Sequence, residues 1–538
     1  MADQPVTWTE GLDELFKPFN RSDAPGLVVG VAKDGKTIYR RAFGLANVEH
    51  GVANTPKTRM RIGSTTKHFT GLAALLLAEE GKLDLDASIR KYIPELNPGA
   101  GEPTLRQLLS HTGGLRCYID TGFIADGHVV HPARDALDSQ VRQTVANFPA
   151  GERMIYCNGG YNLVSLAIER VTGQSFETVM SERIFQPMGM ADTQSVPSDM
   201  EIHPGLAGLY VPRDGSWRRG IFITEGLRGE GAMVSTVDDM LRWLAHLRGP
   251  DKIVGSAESW KQLMTPPTLS SGFEAAYALG IILDTYRGVP VIHHGGSVTG
   301  GQCQMITATD QALDIIIITN GVPANPDDLG NKVMDLILGD EVLGPKPEPV
   351  PSEKYKALIG RYRCERSGVV MGLADTDGKL GLSILTGMPA QLSETEEGLA
   401  LPFVKTVVGD FVIKETGTAG ELQISDSGNP DLFKRLPDTP PTIEDVAPRL
   451  AGAFYAADLE ATARFERDGE ALELHLQGPY GRSVWKLEPM GDETLAMTFK
   501  GKTPWRAVLN VSPEGDGISG FSITSLRTRG LRFERQTA

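Results

Sequence analysis

Ser64 and Lys67 stand three residues apart in Arg61-Ile62-Gly63-Ser64-Thr65-Thr66-Lys67-His68-Phe69, just before the helix-forming run Leu72-Ala73-Ala74-Leu75-Leu76-Leu77-Ala78-Glu79-Glu80. A serine hydroxyl becomes a nucleophile at neutral pH only when a base takes its proton, and a partly desolvated lysine can be that base. On a helix, residues three apart share a face, so hydroxyl and amine would point the same way. A helix start also offers free N–H groups that stabilise negative charge. S-x-x-K is nevertheless a common tetrapeptide at helix starts, and alone it decides little.

Two later groups add to it. Tyr156-Cys157-Asn158 follows the turn signal Phe148-Pro149-Ala150-Gly151 and precedes the amphipathic Leu163-Val164-Ser165-Leu166-Ala167-Ile168-Glu169-Arg170. His294-Gly295-Gly296 follows the strand-like Val289-Pro290-Val291-Ile292-His293. In chain order the three resemble the motifs of the penicillin-recognising serine hydrolases, the class C β-lactamase-like group. The resemblance implies that Ser64 is the nucleophile and that Lys67 and Tyr156 pass protons. It implies that Asn158 holds Lys67 and a substrate amide, and that His294 stands where many relatives carry the lysine of K-T-G. It also implies that His294 and Gly296 line the cleft wall, and that the N–H groups of Ser64 and Ser297 form an oxyanion hole. Such a donor contributes about 3–4 kcal/mol to the transition state.

These residues must be held by a substantial fold. At 538 residues the chain is too long for one core, so several domains are expected. Hydrophobic content of 41% and charged content of 22% are those of a globular protein. The net charge of −15 argues against nucleic acid and anionic membrane as partners. Apolar runs such as Ile315-Ile316-Ile317-Ile318 are too short to span a bilayer and read as a buried strand. Met1-Ala2-Asp3-Gln4-Pro5 opens no signal peptide. Four cysteines (Cys117, Cys157, Cys303, Cys364) show no metal spacing and are expected to be reduced. Both observations give a cytoplasmic location, with the periplasm open to a processed form. Cys157 is read as packing, its side chain opposite those of Tyr156 and Asn158 on a strand.

The first unit, residues 1–343, reads as an α+β domain with an antiparallel sheet covered by helices. It opens with a hairpin, Gly26 to Ala32 and Thr37 to Gly44, turning at Asp34-Gly35. Helices are expected from Ser64 to Glu80 and from Thr104 to Ser110, and strands at Ala278–Leu283 and from Val289 to Asn320. The proline-rich Gly344-Pro345-Lys346-Pro347-Glu348-Pro349-Val350-Pro351 is a semi-rigid linker, and Leu436-Pro437-Asp438-Thr439-Pro440-Pro441 is a second break. The segments 352–436 and 446–538 echo each other at their starts (Ile359-Gly360-Arg361-Tyr362 and Ala451-Gly452-Ala453-Phe454-Tyr455) and in their closing strands. Short alternating strands with Gly/Asp turns make each a small antiparallel β-barrel.

With these modules the whole chain resembles the three-domain D-aminopeptidase family. The likeness is strongest at Tyr156-Cys157-Asn158-Gly159, at Ser181-Glu182-Arg183-Ile184-Phe185, and from Gly520-Phe521-Ser522-Ile523 to Arg529-Gly530-Leu531. The family implies two eight-stranded barrels, the last sending a loop with a carboxylate to the active site, where it limits substrate size and recognises a free amine. The segment that resembles that loop, Thr498-Phe499-Lys500-Gly501-Lys502-Thr503-Pro504-Trp505, carries lysines instead. Lys500 and Lys502 would favour a carboxylate on the substrate.

The resulting expectation is a serine peptidase working through an acyl-enzyme on D-residue-containing peptides or D-aminoacyl amides. Alternatives with the same chemistry are an endopeptidase of linear peptides such as linearised microcystin, an esterase or a β-lactamase. A penicillin-binding-like sensor is the non-enzyme alternative. The α/β-hydrolase motif G-x-S-x-G is missing. Metal catalysis is rejected: His293 and His294 would point to opposite strand faces, and His128 and His131 lack the H-E-x-x-H glutamate. No motif implies a cofactor. The expected partner is a small peptide or amide substrate, and the assembly a monomer or homodimer.

Overall fold

The computed structural model describes residues 8–321, 324–401, 411–501 and 505–536. Its core element is a six-stranded antiparallel sheet. The strands are β1 (Leu27–Lys33), β2 (Lys36–Phe43), β3 (Ile282–Tyr286), β4 (Val289–Val298), β5 (Gly301–Ala308) and β6 (Leu313–Thr319), in the order β3-β4-β5-β6-β1-β2. The isoleucine run Ile315–Ile318 lies in β6, buried throughout and paired with β1 from Leu27↔Thr319 to Lys33↔Leu313. Because side chains alternate across a strand, β6 supplies both faces of the sheet. Ile315 and Ile317 pack against α1 (Trp8–Phe16) and the helix Pro326–Val342 that follows the sheet. Ile316 and Ile318 face the opposite, helical layer.

That layer centres on α2 (Lys67–Glu79), whose residues from Lys67 to Leu77 are all buried. A helix apolar all round belongs inside a domain rather than on its surface. It shares its core with α3 (Tyr118–Asp126), α4 (Asn158–Thr172) and α5 (Val237–Arg248), and Phe69 packs 4.3 Å from the Trp243 ring. The helical stretch expected from Ser64 is split in two: Gly63–Thr66 forms a 3₁₀ turn that runs into α2. Residues three apart eclipse in such a turn, which keeps Ser64 and Lys67 on one side. The strand expected at Ala278–Leu283 begins only at Ile282. Leu279 and Gly280 instead lie across α2, with the Leu279 carbonyl against Gly71 and Gly280 against the backbone of Lys67 and His68.

Two β structures follow, as expected. The first contains nine strands among the described residues, from Gly360–Cys364 to Asn429–Arg435, in a nearly closed sheet. It departs from the eight strands that the resemblance implied because one segment is broken at Leu392. Ala390–Gln391 pairs with one edge and Ser393–Thr395 with the other. The second is a closed barrel of eight strands, Ala453–Ala456 to Leu531–Arg535. It packs on both neighbours. Trp485, Phe499 and Trp505 surround Phe123 of α3, and Met490, Ala496 and Val508 join the core of the first barrel.

Candidate active site

The 3₁₀ turn and β4 meet backbone to backbone. A methyl group on Gly296 would fall 1.8 Å from the Ile62 carbonyl oxygen, and one on Gly63, whose φ is +52°, would fall 2.6 Å from Ser297 N. Only glycine fits either place. Ser297 is paired with Gln302 across the two-residue turn Thr299-Gly300. Alternation along the ladder leaves this pair without mutual hydrogen bonds, so the Ser297 N–H faces the free edge beside Gly63. The amide groups of Ser64 and Ser297 thus share one side of the turn.

Lys67 is wholly buried, and its Nζ lies 3.0 Å from Ser64 Oγ. The amine donates to Asn158 Oδ1 at 2.8 Å and to the Glu230 carbonyl oxygen at 2.6 Å. It also sits 4.7 Å from the centroid of the Tyr156 ring. Burial pulls its pKa down to about 7; the Glu230 carboxylate opposes this and the Arg527 guanidinium adds to it. Glu230 is itself buried, accepting from Tyr118 OH at 2.7 Å and Asn162 Nδ2 at 3.0 Å. Asn158 is the first residue of α4, and Cys157 precedes it in an extended conformation as the N-cap. Cys157 is buried but belongs to no strand.

Tyr156 is buried and its hydroxyl has no hydrogen-bond partner among the described residues. Burial pushes its pKa well up, while Ser64 and Arg527 beside it act the other way. His294 lies one layer back. Its Nε2 is 2.9 Å from Tyr277 OH and its Nδ1 2.5 Å from the Gly295 carbonyl oxygen. Nδ1 therefore donates and Nε2 accepts from the phenol. Burial, helped by the Lys67 charge, holds its pKa well below the usual histidine range, so the ring is neutral. His111, whose Nδ1 accepts from the Cys157 N–H at 3.1 Å, packs 4.1 Å from the Tyr156 ring.

Ser64, Lys67, Tyr156 and Asn158 therefore come together, with Gly296 and Ser297 against the nucleophile turn. Lys500 does not join them. Its ammonium pairs with Asp468 at 3.1 Å and Glu473 at 2.5 Å on the barrel's own surface, because the neighbouring Phe499 and Trp505 anchor this segment on Phe123 instead. Lys502 lies outside the described residues. The part of the last barrel that does reach the site is the connection between Gly517–Thr524 and Leu531–Arg535, whose Arg527 guanidinium lies 5.0 Å from the Tyr156 ring centroid. Sequence reasoning passed over Arg527 and Tyr277 as site residues. Glu230 carried a signal, the glycines of Arg228-Gly229-Glu230-Gly231. Arg527 sits in an ordinary polar turn. Chemically the cluster offers a hydroxyl, a lysine able to be neutral near pH 7, and two backbone donors beside them, the set needed for acyl transfer.

The family model described as Beta-lactamase matches residues 12–338. The D-aminopeptidase of Cereibacter sphaeroides is 28% identical over 98% of both chains. That of Brucella anthropi is 27% identical over 95% of both. Among solved structures, an octameric penicillin-binding protein homologue from Pyrococcus abyssi superposes with a TM-score of 0.54 at 18% identity, covering 98% of this chain and 99% of its own. The D-amino acid amidase of Ochrobactrum anthropi SV3 reaches 0.52 at 23% identity, covering 62% of this chain and all of its own.

Proposed function

The chain belongs to the Beta-lactamase family and is a serine hydrolase of the penicillin-recognising type, and from that premise we propose that it cleaves amide bonds of D-residue-containing peptides or D-aminoacyl amides. The observation that carries the mechanism is Lys67 Nζ at 3.0 Å from Ser64 Oγ, on an amine that burial brings to about 7. Neutral Lys67 takes the hydroxyl proton as Ser64 Oγ attacks the carbonyl carbon. The oxyanion is received by the N–H groups of Ser64 and Ser297. Tyr156, beside both residues, passes the proton to the leaving amine as the C–N bond breaks. Water then attacks the acyl-enzyme by the same route in reverse, releasing the acid and restoring Ser64. Asn158 holds Lys67 in place, and His294 is a positioning residue that fixes Tyr277 and the strand carrying Gly296 and Ser297. The D-residue preference is supported by the names of the relatives: D-aminopeptidases match along nearly the whole chain.

The proposed division of labour gives acyl transfer to residues 1–343 and shaping of the cleft to the barrels of 352–436 and 446–538. The test is turnover of matched D- and L-alanine p-nitroanilides and of a D-containing linear peptide, alongside nitrocefin and a p-nitrophenyl ester. Faster release from the D-substrates supports the reading. Turnover confined to the ester or to nitrocefin would replace it with an esterase or a β-lactamase.

A further inference from the structure

Arg527 is the one arginine of the domain junction that reaches the reacting cluster without an acidic partner among the described residues. Its neighbours in that junction are paired: Arg116 with Asp458 at 2.8 Å, Arg153 with Asp431 at 3.0 Å, and Arg366 with Asp431 at 2.7 Å. Arg527 makes no such pair among the described residues, and its Nε is shut off from solvent without a hydrogen-bond partner. The side chain faces the Tyr156 ring at 5.0 Å, with Lys67 at 4.7 Å from the same ring. The other groups acting on it are the Cys117 thiol and Asp120. Asp120 Oδ2 accepts from Ser525 Oγ, and its carboxylate acts on Arg527 as a nearby charge without forming an ion pair with it among the described residues.

The backbone around Arg527 is braced without help from its side chain. Asn147 Nδ2 donates to the Arg527 carbonyl oxygen at 2.9 Å, and Arg529 N donates to Asn147 Oδ1 at 2.8 Å. Arg116 donates to the carbonyl oxygens of Arg529 and Gly530, and Ser525 N to the Thr528 carbonyl oxygen. The turn is thus held rigidly with one guanidinium directed at the catalytic tyrosine. Behind it lies a cavity of about 940 Å³ between the three units, lined by Leu526 and Arg529 of the same turn.

Resting on the hydrolase reading above, we propose that Arg527 is a carboxylate-recognition site and that the substrates are anionic, carrying a free carboxylate close to the scissile amide. A guanidinium offers planar paired donors that match a carboxylate, and one already desolvated gains more from an incoming anion than one in water. Recognition would then come from the last barrel, and it would oppose a free ammonium at the same place.

The test is calorimetric binding to the Ser64→Ala protein, which does not depend on turnover, of N-acetyl-D-alanyl-D-alanine against its C-terminal amide. The acid is expected to bind at least about tenfold more tightly. Adding Arg527→Gln should erase the difference, and Arg527→Lys should retain part of it. Equal binding of acid and amide, or a preference that survives Arg527→Gln, overturns the proposal. The same pair given to the unaltered enzyme separates the two readings. An acid preference in binding without hydrolysis of any substrate would sink the hydrolase reading and leave the anion site. Hydrolysis with a neutral preference does the reverse.

Discussion

At the scale of the residue, the site is a problem of keeping one buried amine uncharged. Lys67 has no ion-pair partner within bonding distance among the described residues; its contacts are a hydroxyl, an amide oxygen, a carbonyl oxygen and aromatic faces. Protonation there means placing a charge in a low-dielectric interior, which lowers its pKa. A base works only when neutral, so kcat/KM is expected to be flat above about 7 and to fall as pH drops below it. The two charges that act on Lys67 give shifts of opposite sign. Glu230→Gln removes a group that favours the protonated amine, so the acid limb should move to lower pH. Arg527→Gln removes one that disfavours it, so the limb should move to higher pH. Two shifts in the same direction would mean that some other group sets the limb. The S-x-x-K, Y-x-N and H-x-G positions could be singled out in the sequence because each lies in a short local pattern. Arg527 could not, since its place depends on how a whole barrel docks.

At the scale of the element, what matters is how closely the 3₁₀ turn and β4 approach. The two glycines allow contact too tight for a side chain, and the Ser64 and Ser297 amides come beside each other as a result. Gly296→Ala would drive Cβ into the Ile62 carbonyl and force the strand away from the turn. The expected result is a loss in kcat of about 10²–10³-fold, the worth of one oxyanion donor, with a smaller change in KM. Wild-type kcat in that variant would show that the strand does not position a donor. Local chemistry made much of this layer legible. Asp34-Gly35 marks the hairpin of β1 and β2, and Thr104 caps the helix Leu105–Leu109 reciprocally with Gln107. The isoleucine run announces β6. Residues 278–281 misled because their apolar pattern serves to cover α2 rather than to extend the sheet. The position of Lys500 misled for a similar reason: Phe499 and Trp505 beside it dock on Phe123, a contact between residues far apart in the chain.

At the scale of the whole molecule, the last barrel is built into the catalytic unit. The Asp126 carboxylate accepts from the N–H groups of Tyr480 and Gly481 at 3.0 and 2.9 Å, and Ser483 Oγ donates to the Ile124 carbonyl oxygen at 2.5 Å. Arg116 is the central tie, paired with Asp458 and bonded to the turn that carries Arg527. Asp458→Ala would leave Arg116 buried without its counter-charge, at a cost of about 3–5 kcal/mol. A lower Tm is expected, together with a higher KM for a carboxylate-bearing substrate and nearly unchanged kcat on its neutral amide. Equal losses on both would show that the barrel supports the fold without choosing substrate. No described helix is long and apolar enough to cross a membrane. The claim on which all of this rests is that Ser64 carries the acyl group. Intact-mass spectrometry after rapid quenching, with D-alanine p-nitroanilide, N-acetyl-D-alanyl-D-alanine and penicillin, tests it directly. An adduct of acyl mass mapped to Ser64, absent from Ser64→Ala, with hydrolysis by that variant reduced by about four orders of magnitude or more, is the expected result. Undiminished hydrolysis by Ser64→Ala, or an adduct on another residue, would contradict it.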